Sequence, residues 1–551
     1  MSRLISTFIL LCILFVPAAT CYCLTYDDTV ARIIREKLGN PPFSNGLYVG
    51  SCQISSLKVL PEVYRRREYL PVWTNADSVQ HLMDAIQNSY QEGLDPNDYH
   101  INDINNLQKN IRSSISPDPS LTASLDILLT DAFIRLANHT NCGKEDPASS
   151  HPQWNLERKI DDIDPVEFIE NALESQSLEQ AINTWKINHP FYSRLKSALA
   201  DYRALRDKGG WDKVPDGPAL KKGMSDQRIP LLRKRLALTD NLTASPDPLV
   251  FDDALEHSVI QFQKRHGIKE DGVVGKKALE ALNVPLEERI DQIRVNLERA
   301  RWVLRNLDDS FVLVDIAGFR VFYQKNNKIV WSCKAQVGQP YRDTPVLKSK
   351  ITHIEINPFW VVPPTIFEKD ILPEVQKNPG YLKKKNIVAL DSSGRPVNPR
   401  KIKWSLYPGQ NFPYTLRQNP GKDNALGRIK IMFPNEYFVY LHDTPHKELF
   451  SQEDRTFSSG CIRIEKPFEL AELLLADPLK WNLSSLMKVV SSSKTKTLYL
   501  PRTVTVLLLY WTVEVDEEGI VYFKKDPYNR DTKVLEGLGH DWEITTSIKN
   551  Q

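Results

Sequence analysis

The stretch 442-HDTPHKELFSQEDRTFSSGCIRI-464 closes an apolar run with a histidine and then, past a polar segment, sets a cysteine behind Ser458, Ser459 and Gly460. Such a cysteine is either an incidental small residue in a turn or a nucleophile whose base waits upstream. A thiol of pKa about 8.5 attacks poorly at neutral pH unless a nearby base or positive field raises its thiolate fraction. His442 ends the strand-like run 437-YFVYL-441, where a rigid element can aim an imidazole. Gly460 removes a side chain next to the thiol and admits a substrate carbonyl. A tight turn there directs the Gly460 and Cys461 backbone N–H groups at a developing oxyanion. Arg463 brings positive charge to lower the thiol pKa or to hold a substrate carboxylate. His446 is a second candidate base.

Outward from this stretch the pattern is β. The run 311-FVLVDIAGFRVFYQKNNKIVWSCKAQVG-338 alternates and carries hairpin chemistry at Asn326-Asn327. The runs 351-ITHIEINPFWVVPP-364 and 503-TVTVLLLYWTVEVDEEGIVYF-523 continue the style, the second as a hairpin about Glu518-Gly519. Between them a Pro- and Gly-punctuated insertion, about 364–428, is long enough to be a lid or binding element rather than a plain loop.

Upstream the period is helical. Residues 287–308 place Ile290, Ile293, Leu297, Ala300 and Leu304 on one face, a connector helix packed on a neighbour. Residues 225–286 form a small three-helix unit: Leu255, Val259 and Phe262 share a face ended by Gly267, and a turn at Asp271-Gly272 starts a helix with Ala278, Leu279 and Leu282. Residues 25–222 are mostly helical; Val79, Leu82, Met83 and Ile86 make one apolar face, ended by Gly93 and Pro96. That part carries no catalytic constellation and reads as scaffold.

At 551 residues the chain holds more than one core. With 71 Lys+Arg against 69 Asp+Glu, its charge nearly cancels, which gives no reason to expect nucleic acid as a partner. The start, MSRLISTFILLCILFVPAATCYC, has a basic Arg3, a short apolar run and small residues before a cleavage point, so residues 1–21 read as an export signal. Left uncleaved, it would hold the protein at the inner membrane. Of seven cysteines, Cys52, Cys142, Cys333 and Cys461 lie beyond the signal border, without metal-type spacing. An oxidising compartment permits a disulfide among the first three, and a catalytic Cys461 must stay free.

Two resemblances sharpen this reading. Phe262-Gln263, Gly267-Ile268, Asp271-Gly272, Gly275, Leu279 and Leu282 resemble the type-1 peptidoglycan-binding domain. Val337-Gly338, Thr344-Pro345, His442-Asp443-Thr444-Pro445 and Ser458-Ser459-Gly460-Cys461-Ile462-Arg463 resemble the L,D-transpeptidase catalytic domain, the YkuD-type fold. The segment 356-INPFWVVPPTIFEKDILPEVQKNPGYL-382 is similar to the long Gram-negative members, with Ser459 standing where many relatives have histidine. The resemblance implies an α+β multidomain protein: a helical scaffold, a peptidoglycan-binding unit, and a β-rich catalytic domain (309–530) with a capping insertion. It implies Cys461 as nucleophile and His442 as base, acting without metal or cofactor, with Ser458, Ser459 and Arg463 at the substrate site and Tyr440 and Trp360 either lining it or packed in the core. The implied reaction passes through a thioester on a tetrapeptide stem, releases D-alanine and makes a 3→3 cross-link; with water as acceptor it becomes a carboxypeptidase. The implied place is the periplasm, and the implied partners are wall glycan, stem peptides and wall synthases such as penicillin-binding proteins. An unrelated cysteine peptidase leaves the Thr-Pro elements unexplained, and a binding scaffold has no need of the His442/Cys461 pair.

Overall fold

Asn326 and Asn327 both take positive φ, 49° and 62°, as a two-residue type I′ hairpin turn demands. In the computed structural model they join strands of the largest sheet. The structure describes residues 25–539 apart from 40–42, 44–45, 151–163, 176, 241, 243–244, 246, 306, 379 and 408–410. The expected signal segment lies outside the described residues. No helix among the described residues is long and apolar enough to cross a membrane.

The strands of this sheet are β1 (Phe311–Asp315), β2 (Arg320–Lys325), β3 (Lys328–Gly338), β4 (Leu347–Ile356), β5 (Ile429–Met432), β6 (Leu441–His442), β7 (Thr456–Ser458), β8 (Ile462–Ile464) and β9 (Lys496–Leu509). They are ordered β3-β8-β6-β5-β4-β9-β1-β2, and β2 pairs back onto β3, so the sheet closes on itself. β7 adds in parallel at the end of β3. Closure removes exposed sheet edges. The short strands alternate strictly: Ile429 and Ile431, Leu441, Ile462 and Ile464 enter the apolar interior. Lys430, His442 and Arg463 therefore share the opposite face.

One expected strand divides. The run 351–364 breaks at Asn357, which takes a φ of 50°, and its Nδ2 donates to the carbonyls of Val489, Val490 and Lys494. Residues before the break belong to β4. Trp360–Val361 instead joins a second sheet with Thr415–Gln418, Ile387–Leu390 and Pro396–Val397. This insertion has a core of its own, built from Val362, Phe367, Ile371, Val375, Leu382 and Trp404 among others. The C-terminal run also divides: β9 ends at Leu509, and Val513–Val515 pairs with Val521–Phe523 around Gly519, whose φ is 82°.

Four helices tie the rest together: α1 (Pro119–Cys142), α2 (Pro190–Asp207), α3 (Leu286–Val303) and α4 (Asp531–Gly539). All five apolar residues expected on the connector face are buried, on α3 or at its end. At about 1.5–3 kcal/mol for each large aliphatic side chain, this face holds α3 in place. The opposite side of α3 is buried as well. There Glu298 pairs with Arg301 at 2.7 Å and accepts the Glu145 N–H at 2.8 Å. α2, expected with the scaffold, contributes Tyr192, Leu195 and Leu199 to the same cluster as the large sheet.

The N-terminal core gathers around α1, with Leu82 and Ile86 fully buried against it. Leu538 of α4 returns to that core, where its carbonyl accepts from Lys144 Nζ at 2.8 Å. The peptidoglycan-binding-like unit has three helices, Ile229–Ala237, Asp253–Arg265 and Lys276–Leu282, around Phe251, Leu255, Val259, Phe262 and Leu279.

Candidate active site

The nucleophile candidate lies between two short strands whose register decides its neighbours. β6 and β8 run parallel, with Leu441 opposite Ile462 and His442 opposite Arg463, and the Ile462 N–H donates to Tyr440 O at 3.0 Å. Period-two alternation then puts Tyr440, His442, Cys461 and Arg463 on one face. His442 and Cys461 are diagonal neighbours, roughly 8 Å apart at Cα from a strand spacing of about 4.8 Å and two rises of about 3.3 Å. The row extends sideways: His442 is the register partner of Lys430, Lys430 of Glu355, and Arg463 of Gln336. Five strands thus present Glu355, Lys430, His442, Arg463 and Gln336 in line.

The turn carrying the thiol is held from several sides. Gly460 is buried at a φ of 107°, a conformation open in practice only to glycine. Ser458 Oγ donates to Cys461 O at 2.5 Å and accepts the Gly460 N–H at 3.2 Å. The oxyanion role expected of the Gly460 N–H therefore competes with a bond it already makes. Thr344 Oγ1 accepts the Gly338 N–H and donates to Gly460 O, both at 2.9 Å. The Val337-Gly338 and Thr344-Pro345 elements are thus the buttress of the turn that carries Cys461. Tyr528 extends the buttress, its hydroxyl donating to Gly338 O at 2.7 Å. Ser459 is exposed, and its Oγ accepts from Arg342 Nη1 at 2.9 Å; the same guanidinium pairs with Asp370 of the insertion at 2.6 Å.

His442 is buried, and its Nδ1 lies 2.5 Å from Asp443 O. A ring nitrogen facing a carbonyl must carry the proton, so the free lone pair sits on Nε2. Burial, with Arg463 and Lys430 adding, pushes the imidazole down to about 3. Burial also raises the Cys461 thiol, against the opposing pull of Tyr440, Lys430 and Arg463. Burial thus favours the neutral form of each group. The Tyr440 ring stands 5.7 Å from the His442 ring. Phe438, left-handed at a φ of 54°, turns its carbonyl toward the Cys461 thiol at 3.9 Å. Cys461 forms no disulfide and is partly exposed.

The structure thus brings Cys461, His442, Tyr440 and Arg463 to one face, with Ser458 and Gly460 shaping the turn beneath. Trp360 sits on the insertion's small sheet, packed against that element's core. His446 is exposed on the following loop, 3.3 Å from Glu448. Sequence reading missed Lys430, Glu355, Arg342 and Tyr528. The alternation Ile429-Lys430-Ile431 marks Lys430 as outward-facing, but nothing local says which strand lies beside it.

Comparison with known families agrees with this geometry. Residues 309–497 match the L,D-transpeptidase catalytic domain. That match is preceded by one to a scaffold domain at residues 58–199 and one to a "Putative peptidoglycan binding domain" at residues 225–282. A curated relative from Haemophilus influenzae, named "Putative L,D-transpeptidase", is 33% identical over 249 residues, covering 45% of this chain and 50% of the relative. The match therefore spans half the length of that relative. Among solved structures, an L,D-transpeptidase from Stackebrandtia nassauensis is 15% identical, covering 54% of this chain and 97% of its own, with a TM-score of 0.21. One from Xylanimonas cellulosilytica is 14% identical, covering 54% and 99%, with a TM-score of 0.17.

Proposed function

We propose that the protein is an L,D-transpeptidase that cross-links peptidoglycan stems through Cys461. The observation that carries this reading is the shared face of β6 and β8. There a thiol on a glycine turn, a histidine with Nδ1 bound to a carbonyl, and two cations meet beside a tyrosine.

The reaction runs in two steps. As Cys461 Sγ attacks the carbonyl next to the terminal D-alanine of a tetrapeptide stem, His442 Nε2 takes the thiol proton. The S–C bond forms, the C–N bond breaks, and the proton passes to the departing amine. The side-chain amine of a second stem then attacks the thioester; the C–N bond of a 3→3 cross-link forms, the C–S bond breaks, and the proton lost by the amine passes through His442 Nε2 back to Cys461 Sγ. Because the imidazole is a weak base here, proton transfer accompanies attack rather than preceding it. Peptidoglycan as substrate is supported by the peptidoglycan-binding and transpeptidase matches together. A peptidoglycan substrate would call for a protein exported to the periplasm, held at the inner membrane if its signal stays uncleaved, with wall synthases as working partners.

Intact mass after incubation with a carbapenem tests the acyl-enzyme. One adduct on the wild type, absent from Cys461→Ala, is expected; an unmodified wild type overturns the reading. Digestion of tetrapeptide-rich sacculi then separates the outcomes: 3→3 dimers are expected, and tripeptide monomers alone would show a carboxypeptidase.

A further inference from the structure

Lys430 has no part in the chemistry above, yet it occupies the strand next to His442. Its Nζ stands 4.3 Å from the centre of the Tyr440 ring, and Glu355 Oε2 lies 3.8 Å from the same nitrogen. The ammonium is largely covered, its side chain 15% exposed. A cation held on an aromatic face at this distance is attracted by the ring quadrupole, more strongly where water is excluded.

We infer that Lys430 is a positioning residue for Cys461: clamped over the Tyr440 ring, it holds that tyrosine against the thiol. The inference rests on the reading of Cys461 as the nucleophile. Other groups face the thiol too. His442 comes from β6 and Tyr440 from just before it, and Arg463 comes from β8, which begins just after the thiol. Glu355 stands behind Lys430 on β4, where it anchors the ammonium and opposes its field. Tyr440 and Lys430 both favour the thiolate form against burial, which disfavours it. Arg463, on the other side, donates to Gln336 Oε1 at 3.3 Å, so its guanidinium is steered along the row rather than over the tyrosine. The two cations thus have different duties: Lys430 acts through Tyr440, and Arg463 lies beside the His442 register position.

Alkylation of Cys461 by iodoacetamide in the full chain, followed by peptide mass over roughly pH 6–10, reads thiol ionisation without any wall substrate. Wild type, Lys430→Met, Lys430→Arg, Tyr440→Phe and the Lys430→Met/Tyr440→Phe pair are compared. Lys430→Met is expected to move the alkylation midpoint up by about half a pH unit, a roughly threefold slowing at neutral pH. Lys430→Arg restores most of the shift. The double variant shifts no further than Tyr440→Phe, because the lysine acts through the ring. An unshifted midpoint in a folded Lys430→Met, or additive shifts in the double variant, overturns the inference. Should Lys430→Met not fold, Lys430→Arg and Tyr440→Phe decide: a wild-type midpoint in Tyr440→Phe rejects the inference, and a raised one beside a wild-type-like Lys430→Arg supports it. A wild type that alkylates normally yet takes no carbapenem would count against the transpeptidase reading instead.

Discussion

Gly460 shows how one backbone angle holds a turn. With φ at 107° inside a buried turn, alanine there meets a strain of about 1–3 kcal/mol and displaces the bonds to Ser458 and Thr344. Gly460→Ala is expected to lower carbapenem acylation at least a hundredfold while the far-UV circular dichroism stays native. His442 sets the pH dependence. With its imidazole held to about 3, it is neutral through the whole working range, so the rise of rate with pH reports the thiol alone. Between about pH 5 and 8 the acylation rate should climb as a single log-linear limb. A break near about 6.5, the ordinary histidine value, would show the imidazole titrating and contradict the buried neutral base.

At the scale of elements, the nucleophile turn depends on a segment more than a hundred residues earlier in the chain. Thr344 bridges β3 to Gly460 with two hydrogen bonds, each worth about 1 kcal/mol net. Thr344→Val keeps the shape and removes both; a loss of roughly tenfold in acylation with a melting temperature lower by a few degrees is expected. Equal acylation rates in the two proteins would dismiss the buttress. The same dependence explains what could be read from residues in order. The Asn326-Asn327 turn, the three-helix unit and the connector face are local patterns of period two or three to four, and each is where the residues put it. The division at Asn357 was hidden, because three distant carbonyls on 489–494 supply the reason. Lys430 was hidden likewise, since its neighbours come from β4 and β6 and pairing is not written in either strand. Cys461 and His442 were legible as a pair; the bond that takes up the Gly460 N–H was not.

Across the whole molecule, buried histidines link stability to pH. Burial holds His139, His266 and His442 well below their ordinary value. Below about pH 6.5 the unfolded chain protonates them and the folded one does not, so stability is full above that point and declines as pH falls. Each contributes a loss on the order of 1 kcal/mol by about pH 6. Asp98, Asp126 and Asp315, raised by burial, act in the opposite sense nearer their own titration. A lower urea midpoint at about pH 6 than at about pH 7.5 is therefore expected, and an equal or higher one contradicts the linkage. The units also touch near the chemistry. Glu453, on the loop between His442 and Cys461, pairs with Lys277 Nζ at 2.7 Å and accepts the Lys269 N–H at 3.2 Å. The pair is partly exposed and worth about 0–1 kcal/mol. Glu453→Lys should speed proteolytic cleavage of this loop, and adding Lys277→Glu should slow it again; no rescue would mean the contact does not hold the loop.

The seat of Leu538 on the N-terminal core has a consequence for how the chain is made. Domains usually complete themselves in order of synthesis. Here the buried ammonium of Lys144 finds Asp98 within its own unit but must wait for the Leu538 carbonyl, made almost four hundred residues later. The helical unit around α1 is thus completed only after the closed sheet of residues 311–509 has been made.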